Sequence, residues 1–210
     1  MPVIGLGEVG RAVRECLRGD NTALHVCFPW SEDFVERVRY MSSAWSGLVI
    51  IHSTVPVGTT EQIPNAVHAP IRGRHPGLVD GIRNFTMYVG GDRARDAVPI
   101  LRAMGILEIV ITPDSNSIEA LKLWDTTYYG WNIVFQKAVK RYCDKLNLDY
   151  SLVYEHANGT YNEYHRGSRF ERPCLVDMFG PIGGHCVIPN CKLLDDDIAR
   201  YILEFNETIK

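Results

Sequence analysis

Three glycines near the start of the chain have the spacing of a phosphate-binding turn. Gly5, Gly7 and Gly10 fit the pattern G-x-G-x-x-G, after a short apolar run and at the start of a helical pattern. In such a turn the first glycine allows a tight bend, the second lets a diphosphate approach the backbone, and the third lets the helix pack closely on the strand. The N-terminus of the helix then faces the anion. The spacing predicts a dinucleotide site, and the alternative is a tight turn that binds nothing.

A cysteine and a lysine lie in contexts that suit reactions of carbonyl groups. Cys186 follows two glycines and His185, and a thiolate attacks carbonyls readily to form a labile thioester. Lys122 falls within a long helical pattern, and an ammonium can stabilise a developing oxyanion. The alternatives are an inert buried cysteine and a solvated surface lysine. His185, Cys186 and Cys191 have no second ligand pair at a zinc spacing, so we predict no metal site.

Arginines occur in two segments that suit an anionic ligand. Arg72 and Arg74 follow the end of a predicted strand, and Arg169 lies in a polar, aromatic segment before the cysteine loop. The carboxyl ends of strands form the ligand edge of an open α/β sheet, and guanidinium groups bind phosphate and carboxylate. The pattern predicts a small anionic substrate, and solvated loops are the alternative.

The elements that position these residues change in type along the chain. The first half alternates buried apolar runs with helical patterns, which is typical of a mostly parallel sheet covered on both faces. The predicted strands are at about residues 2–4, 23–29, 47–53, 66–69, 85–89 and 107–112. Apolar residues then recur at helical spacing over residues 115–146, and shorter helices are predicted near 150–157 and 193–205. We therefore predict a Rossmann-like dinucleotide-binding domain over residues 1–112 and a helical domain for dimerisation and substrate over residues 113–210.

The predicted sheet is smaller than that of an ordinary dinucleotide-binding domain. The usual fingerprint has an Asp or Glu about 20 residues after the glycines, at the end of the second strand, to hold the ribose. From Gly10 to Ala23 the chain has room for only one helix and a turn. The ordinary second and third strands are therefore predicted to be missing, together with the ribose-binding acid.

The composition excludes several classes of protein. The chain has 210 residues, of which 46% are hydrophobic and 22% charged, as expected for a globular protein. A net charge of −3 gives no reason to expect nucleic acid as a partner. Neither a long apolar run nor a signal-peptide pattern is present, so we expect no membrane association. The six cysteines are scattered, which favours a reducing compartment and a cytoplasmic location.

Three further segments carry a resemblance to a known family. Residues 52–60 read H-S-T-V-P-V-G-T-T, residues 118–128 read I-E-A-L-K-L-W-D-T-T-Y, and residues 180–189 read G-P-I-G-G-H-C-V-I-P. Together with the glycine turn, their order and spacing resemble the UDP-glucose/GDP-mannose dehydrogenase family of the 6-phosphogluconate-dehydrogenase-like Rossmann superfamily. The resemblance covers most of the chain from Ala23 onward.

The resemblance implies an NAD-dependent oxidation of a nucleotide-sugar primary alcohol to a carboxylate, through a cysteine thiohemiacetal and a thioester. It implies that Cys186 is the nucleophile, that Lys122 is the active-site ammonium and that Thr54 helps to position a catalytic water. The cofactor, NAD or NADP, is expected to contact Gly5, Gly7, Glu8, Val9, Gly10, Pro29 and Thr54. The substrate is expected to contact Arg72, Arg74, Arg169 and His185. The long helix, rich in aromatic residues, is expected to form a homodimer.

Three departures from the family pattern leave other functions open. The family's asparagine one turn after the lysine is Thr126, its aspartate shortly after the cysteine is Asn190, and its glutamate falls at about Ile71. An asparagine cannot act as a general base, so thioester hydrolysis is the step most affected unless Asp125, Asp177 or Asp195 takes over that role. From its length, the chain is also expected to lack the family's C-terminal nucleotide-sugar domain. The alternatives are a non-catalytic binding or assembly protein on the same scaffold, and a two-electron dehydrogenase of a small anionic alcohol.

Overall fold

The computed structural model describes residues 2–17, 22–73 and 76–209. The chain divides into two compact units, Met1–Leu123 and Trp124–Lys210. The first unit has an apolar core on each face of a sheet, and the second has a core of its own among helices.

The first unit is built on a six-stranded sheet. Its strands are β1 (Val3–Ile4), β2 (Ala23–Val26), β3 (Leu48–Ile51), β4 (Ala66–His68), β5 (Met87–Gly90) and β6 (Ile109–Thr112). The connecting helices are α1 (Glu8–Cys16), α2 (Phe34–Ser42), α3 (Leu78–Asn84) and α4 (Ala94–Ala103), with a 3-10 turn at Thr60–Gln62. Neighbouring strands are parallel except for the antiparallel pair β4 and β5. The prediction of a mostly parallel α/β sheet is confirmed.

Both faces of the sheet are covered because successive strand residues are apolar and point in opposite directions. On one face Val49 and Ile51 pack in a cluster with Phe34 of α2. On the other face Leu48 and Ile50 belong to a larger cluster with residues of α1, α3 and α4. Every residue of β2 and β3 is buried. The continuous apolar runs in the sequence therefore correspond to strands buried on both sides.

The strands lie in the sheet in the same order as in the chain. In the ordinary doubly wound order, 3-2-1-4-5-6, the first strand is central. Here β1 is at the end of the sheet and pairs with β2 alone in the part of the chain that the structure describes. Among the described residues, α1 is the element between β1 and β2 in the chain. The sheet is therefore the reduced form predicted from the sequence.

The second unit is helical. The long helix α5 (Ser115–Leu146) begins in the first unit and continues through the second. It is followed by a π-helical turn at Ser151–His156, α6 (Ala157–His165), α7 (Val187–Cys191) and α8 (Asp197–Glu207). The second core contains Val134 of α5 together with Val187, Ile202 and Phe205. The long helix is confirmed over its full predicted length, and α8 begins later than predicted, after an N-cap at Asp196. Within the described ranges no helix has the length and apolar character needed to cross a membrane.

A buried carboxylate joins the start of α5 to the turn that follows β3. Glu119 is fully buried and accepts hydrogen bonds from the backbone N–H groups of Gly58 and Thr60, both at 2.7 Å. The Thr60 hydroxyl donates a third bond at 2.6 Å. Burial raises the pKa of Glu119, and the hydrogen bonds from the turn act in the opposite direction.

We expect Glu119→Gln to destabilise the protein by about 2–4 kcal/mol. In the parent both carboxylate oxygens accept from backbone N–H groups, and in the variant the side-chain NH₂ would replace one of these oxygens and face an N–H donor. Chemical unfolding of the full chain followed by circular dichroism measures the change. Glu61→Gln is the matched control, since Glu61 is an exposed glutamate of the same turn. Equal unfolding midpoints for the two variants would contradict the role given to Glu119.

Candidate functional site

The glycine turn after β1 packs so tightly that two of its positions exclude a side chain. Gly5 has φ +89°, and a Cβ there would lie 2.8 Å from backbone atoms of Cys27 and Phe28. A Cβ on Gly10 would lie 1.7 Å from the carbonyl oxygen of Gly5. The turn is thus pressed against the end of β2, and α1 lies close to β1.

The N-terminus of α1 is open to an approaching anion. Gly7 is the N-cap residue, has no side-chain cap, and has nothing within 4 Å of the position of a Cβ. Gly7 and Glu8 are exposed and Val9 is half-buried. The first N–H groups of a helix attract negative charge, so the turn fits a diphosphate. Pro29 is exposed and adjoins Phe28, which Gly5 approaches, so the predicted cofactor residues of the first two strands lie together.

Thr54 and Arg72 lie at the same edge of the sheet. Both follow the carboxyl ends of parallel strands, Thr54 after β3 and Arg72 after β4. Thr54 is half-buried. The guanidinium of Arg72 lies over the rings of Phe85 at 5.8 Å and Tyr88 at 5.7 Å, which orients it by cation–π attraction. Arg74 lies outside the described residues.

Lys122 is half-buried on α5, one helical turn after Glu119. Its positive charge contributes to lowering the pKa of His68, so the ammonium acts electrostatically on the carboxyl end of β4. Because Glu119 fixes the same helix to the turn at Gly58 and Thr60, Lys122 and the Thr54 segment belong to one connected part of the first unit.

Three buried histidines at this edge were not predicted as functional. His25, His52 and His68 are at most 3% exposed. His25 Nδ1 lies 2.9 Å from His52 Nε2, and His52 Nδ1 lies 2.6 Å from the carbonyl oxygen of Ala69. Burial lowers the pKa of His25 and His68 to about 3 and that of His52 to about 4. The sequence contained one indication of them: each histidine lies within or directly after an apolar strand.

In the second unit, Cys186 is the N-cap residue of α7 and is half-buried. The carbonyl oxygen of Cys186 accepts a bond from the backbone N–H of Asn190 at 3.0 Å. The side-chain amide of Asn190 donates to the hydroxyl of Thr126 at 3.1 Å, and both residues are buried. Two departures from the family pattern are therefore in contact with each other and form an uncharged pair one helical turn from Cys186.

The other predicted substrate residues of the second unit are exposed. His185 is exposed beside Cys186. The guanidinium of Arg169 lies 4.9 Å from the ring centre of Phe170, and that of Arg172 lies 3.5 Å from the ring centre of Tyr161. This segment therefore presents two exposed arginines, each with its guanidinium over an aromatic ring. In the described part of the chain, no group of three or more His, Cys, Asp or Glu could hold a metal ion.

Comparison with known proteins finds distant relatives. No family model matches the chain. UDP-N-acetyl-D-mannosamine dehydrogenases of Methanococcus vannielii and Methanococcus maripaludis are 25% and 26% identical over 150 residues, which cover 67% of this chain and 33% of each relative. The chain thus matches about a third of the length of these curated relatives.

Solved structures show the same fold. The UDP-D-ManNAc dehydrogenase from Pyrococcus horikoshii has a TM-score of 0.74 at 22% identity, covering 93% of this chain and 52% of that one. The 3-hydroxyisobutyrate dehydrogenase of Mycobacterium tuberculosis has a TM-score of 0.67 at 16% identity, covering 96% of this chain and 90% of that one. The predicted resemblance to the UDP-glucose/GDP-mannose dehydrogenases is confirmed, and the fold is shared with shorter dehydrogenases as well.

Replacing Gly10 with alanine should prevent or strongly impair folding, with a loss of more than about 4 kcal/mol, because the new Cβ would overlap the Gly5 carbonyl. Thermal unfolding and soluble yield measure the effect. Gly7→Ala is the matched variant, since its Cβ enters open space, and it should keep the melting temperature of the parent. Similar melting temperatures for the Gly10→Ala variant and the parent would refute the tight packing of the turn.

Proposed function

We propose that this protein is an NAD(P)-dependent oxidoreductase that oxidises a primary alcohol and is related in its chemistry to the nucleotide-sugar dehydrogenases. The observation that carries the proposal is the open N-terminus of α1, which lies at the same edge of the sheet as the S-T-V-P segment of residues 53–56. The similarity to nucleotide-sugar dehydrogenases in sequence and fold supports it.

Within this proposal the residues of the first unit bind the cofactor and stabilise charge. Gly5, Gly7, Gly10 and the first N–H groups of α1 hold the diphosphate. A nicotinamide cofactor held there would supply the hydride acceptor for oxidation of the alcohol carbon. Lys122 stabilises the alkoxide oxygen from which the hydroxyl proton is lost. The products of this first step are an aldehyde, the reduced cofactor and one proton.

The extent of oxidation depends on the second unit. In the fuller reaction the Cys186 thiolate adds to the aldehyde to give a thiohemiacetal. A second oxidised nicotinamide cofactor would take up the hydride that converts this adduct to a thioester, and water would cleave the thioester to a carboxylate and the free thiol. The neutral Thr126–Asn190 pair offers no general base for that water. This observation favours a second candidate, a two-electron dehydrogenase of a small anionic alcohol. The near-complete overlap in length with a 3-hydroxyisobutyrate dehydrogenase supports the same candidate.

An anionic substrate is part of both candidates. We propose that Arg72, Arg74, Arg169 and His185 contribute to its binding, since arginine provides paired donors for phosphate or carboxylate. A nucleotide sugar is the substrate in the first candidate, and a small hydroxy acid in the second. The cysteines of the described residues are all free, which supports our proposal of a reducing, cytoplasmic location.

The decisive test is cofactor binding followed by product counting. We expect NAD⁺ or NADP⁺ to raise the melting temperature of the protein, and Gly7→Ala to weaken that rise. The ratio of reduced cofactor to consumed alcohol then separates the candidates: two for a carboxylate product, one for an aldehyde or ketone. Candidate alcohols are UDP-glucose, UDP-N-acetylmannosamine and 3-hydroxy acids.

Two variants sharpen this test. Lys122→Met should lower turnover by about a hundredfold if the ammonium stabilises the oxyanion. Cys186→Ser should abolish the second oxidation and leave the first. If neither cofactor changes the melting temperature, the protein is a binding or assembly protein without catalysis. If Cys186→Ser keeps full turnover, the thioester route is excluded.

We also propose a homodimer formed through α5. A single chain leaves large aromatic residues of this helix exposed, namely Trp124, Tyr128, Tyr129, Trp131, Phe135 and Tyr142. Exposed aromatic side chains in such numbers are typical of the buried centre of an interface.

Phe135→Glu should convert the dimer to a monomer, because a carboxylate would replace a phenyl ring in an apolar interface. Light scattering after size-exclusion chromatography measures the mass. Tyr40→Glu is the control, since Tyr40 is an exposed aromatic residue of α2. A monomeric parent protein at micromolar concentration would overturn the proposed dimer.

A further inference from the structure

Two histidine side chains extend the sheet beyond the point where backbone pairing between β3 and β4 ends. The last paired residues are Ile51 and His68, and Ala69 N–H still donates to the Ile51 carbonyl. Beyond them, His52 Nδ1 lies 2.6 Å from the carbonyl oxygen of Ala69, and His68 Nε2 lies 3.1 Å from the carbonyl oxygen of Ser53. Each strand end thus binds the backbone of the other through an imidazole.

The two imidazoles lie on opposite faces of the sheet. His68 is in register with Ile51, and side chains alternate along a strand, so His52 points to the other face. Together they hold the diverging chains from both sides. We call this pair of reciprocal bonds, formed by His52 and His68 with the carbonyl oxygens of Ala69 and Ser53, the histidine clamp.

The hydrogen-bond partners fix the tautomers of the clamp. A carbonyl oxygen only accepts, so His52 carries its proton on Nδ1 and His68 carries its proton on Nε2. His52 Nε2 is then an acceptor, and His25 Nδ1 donates to it. His25 Nε2 and His68 Nδ1 are left as buried lone pairs with no partner among the described residues. All three rings are neutral in this arrangement.

The clamp holds one end of the segment that carries Thr54. The other end of the segment is held at Gly58 and Thr60 by the carboxylate of Glu119. Between these two anchors, residues 54–57 are outside the sheet. On the β4 side, the chain leads from Ala69 to Arg72. The clamp therefore sets the distance between the segments that carry Thr54 and Arg72.

We propose that His52 and His68 are positioning residues: in their neutral form they fix the Thr54 segment against residues 69–72, and a second proton on either ring loosens this edge. The consequence for turnover rests on the function proposed above, whereas the consequence for local order does not.

The surroundings explain why a second proton would break the arrangement. Two titratable groups add to the effect of burial: His52 lowers the pKa of His25 and of His68, and Lys122 of α5 lowers the pKa of His68. Burial has the largest effect on all three rings. A proton on His68 Nδ1 would thus add a positive charge, beside Lys122, to a nitrogen without an acceptor.

The sign of the pH dependence follows from these shifts. The folded-state pKa values of about 3 to 4 lie below the unfolded value of 6.5. The contribution of the neutral rings to stability is complete above pH 6.5 and is lost progressively as the pH falls toward 4. Within that window each histidine changes the unfolding equilibrium by up to about tenfold per pH unit.

Hydrogen exchange of the cofactor-free protein, read by mass spectrometry at pH 7 and pH 5 with rates corrected for intrinsic exchange, tests the clamp. We expect residues 53–60 to exchange at least tenfold faster at pH 5, whereas α8 of the second unit changes little. His68→Gln places an amide donor near the position of Nε2 and cannot titrate, so it should keep protection at pH 7 and lose part of the acid response. His68→Asn removes that donor and should raise exchange of residues 53–60 at pH 7 about tenfold.

Controls separate the clamp from general stability and from catalysis. His156→Gln changes an exposed histidine of the second unit and should leave exchange of residues 53–60 unchanged. If the protein has dehydrogenase activity, His68→Asn should lower kcat more than it raises KM for the cofactor, and His68→Gln should restore kcat at pH 7. Absence of any activity would refute the proposed function and leave the exchange result to decide the clamp. Equal exchange of residues 53–60 in His68→Asn, His68→Gln and the parent at both pH values would overturn the clamp.

Discussion

The buried carboxylate of Glu119 is the interaction on which the arrangement of the first unit depends. A charge removed from water must be compensated by close donors, and Gly58 and Thr60 supply three within 2.7 Å. The long helix cannot slide or rotate relative to the turn without losing these bonds. Lys122, one helical turn further along α5, is therefore held in a fixed relation to the segment that begins with Thr54.

The position of β1 at the end of the sheet explains what the glycine turn can hold. A helix N-terminus binds a diphosphate through backbone N–H groups and the helix dipole, and this needs only the turn and α1. Recognition of the adenosine ribose ordinarily needs an acid at the end of a further strand. No strand lies beyond β1 in the described ranges. The chain thus has the tight turn and open helix N-terminus that diphosphate binding needs, without a further strand beside them in the described residues.

Much of the fold could be predicted because the strands and α5 have strong local signals. Residues 48–51 are all apolar and are buried on both faces, and the helical periodicity gave α5 its full extent, Ser115–Leu146. Helices α3, α6 and α7 were not predicted. Helices α3 and α7 are short, α3 contains a glycine required by the close approach of Gly73 to Gly81, and α6 lies in a polar segment beyond the helix predicted near 150–157. The histidine clamp depends on strand register, which periodicity alone does not determine.

The contact between Thr126 and Asn190 likewise could not be predicted from the sequence, since the two residues are 64 positions apart. Because their side chains are in contact, the threonine at position 126 and the asparagine at position 190 can be understood as one coupled departure from the family pattern. An asparagine amide donates to the threonine hydroxyl, so both groups are satisfied without a charge. An aspartate at position 190, where the residue is 6% exposed, would have to carry a buried charge or take up a proton. The pair therefore satisfies two buried polar side chains next to Cys186 without placing a carboxylate there.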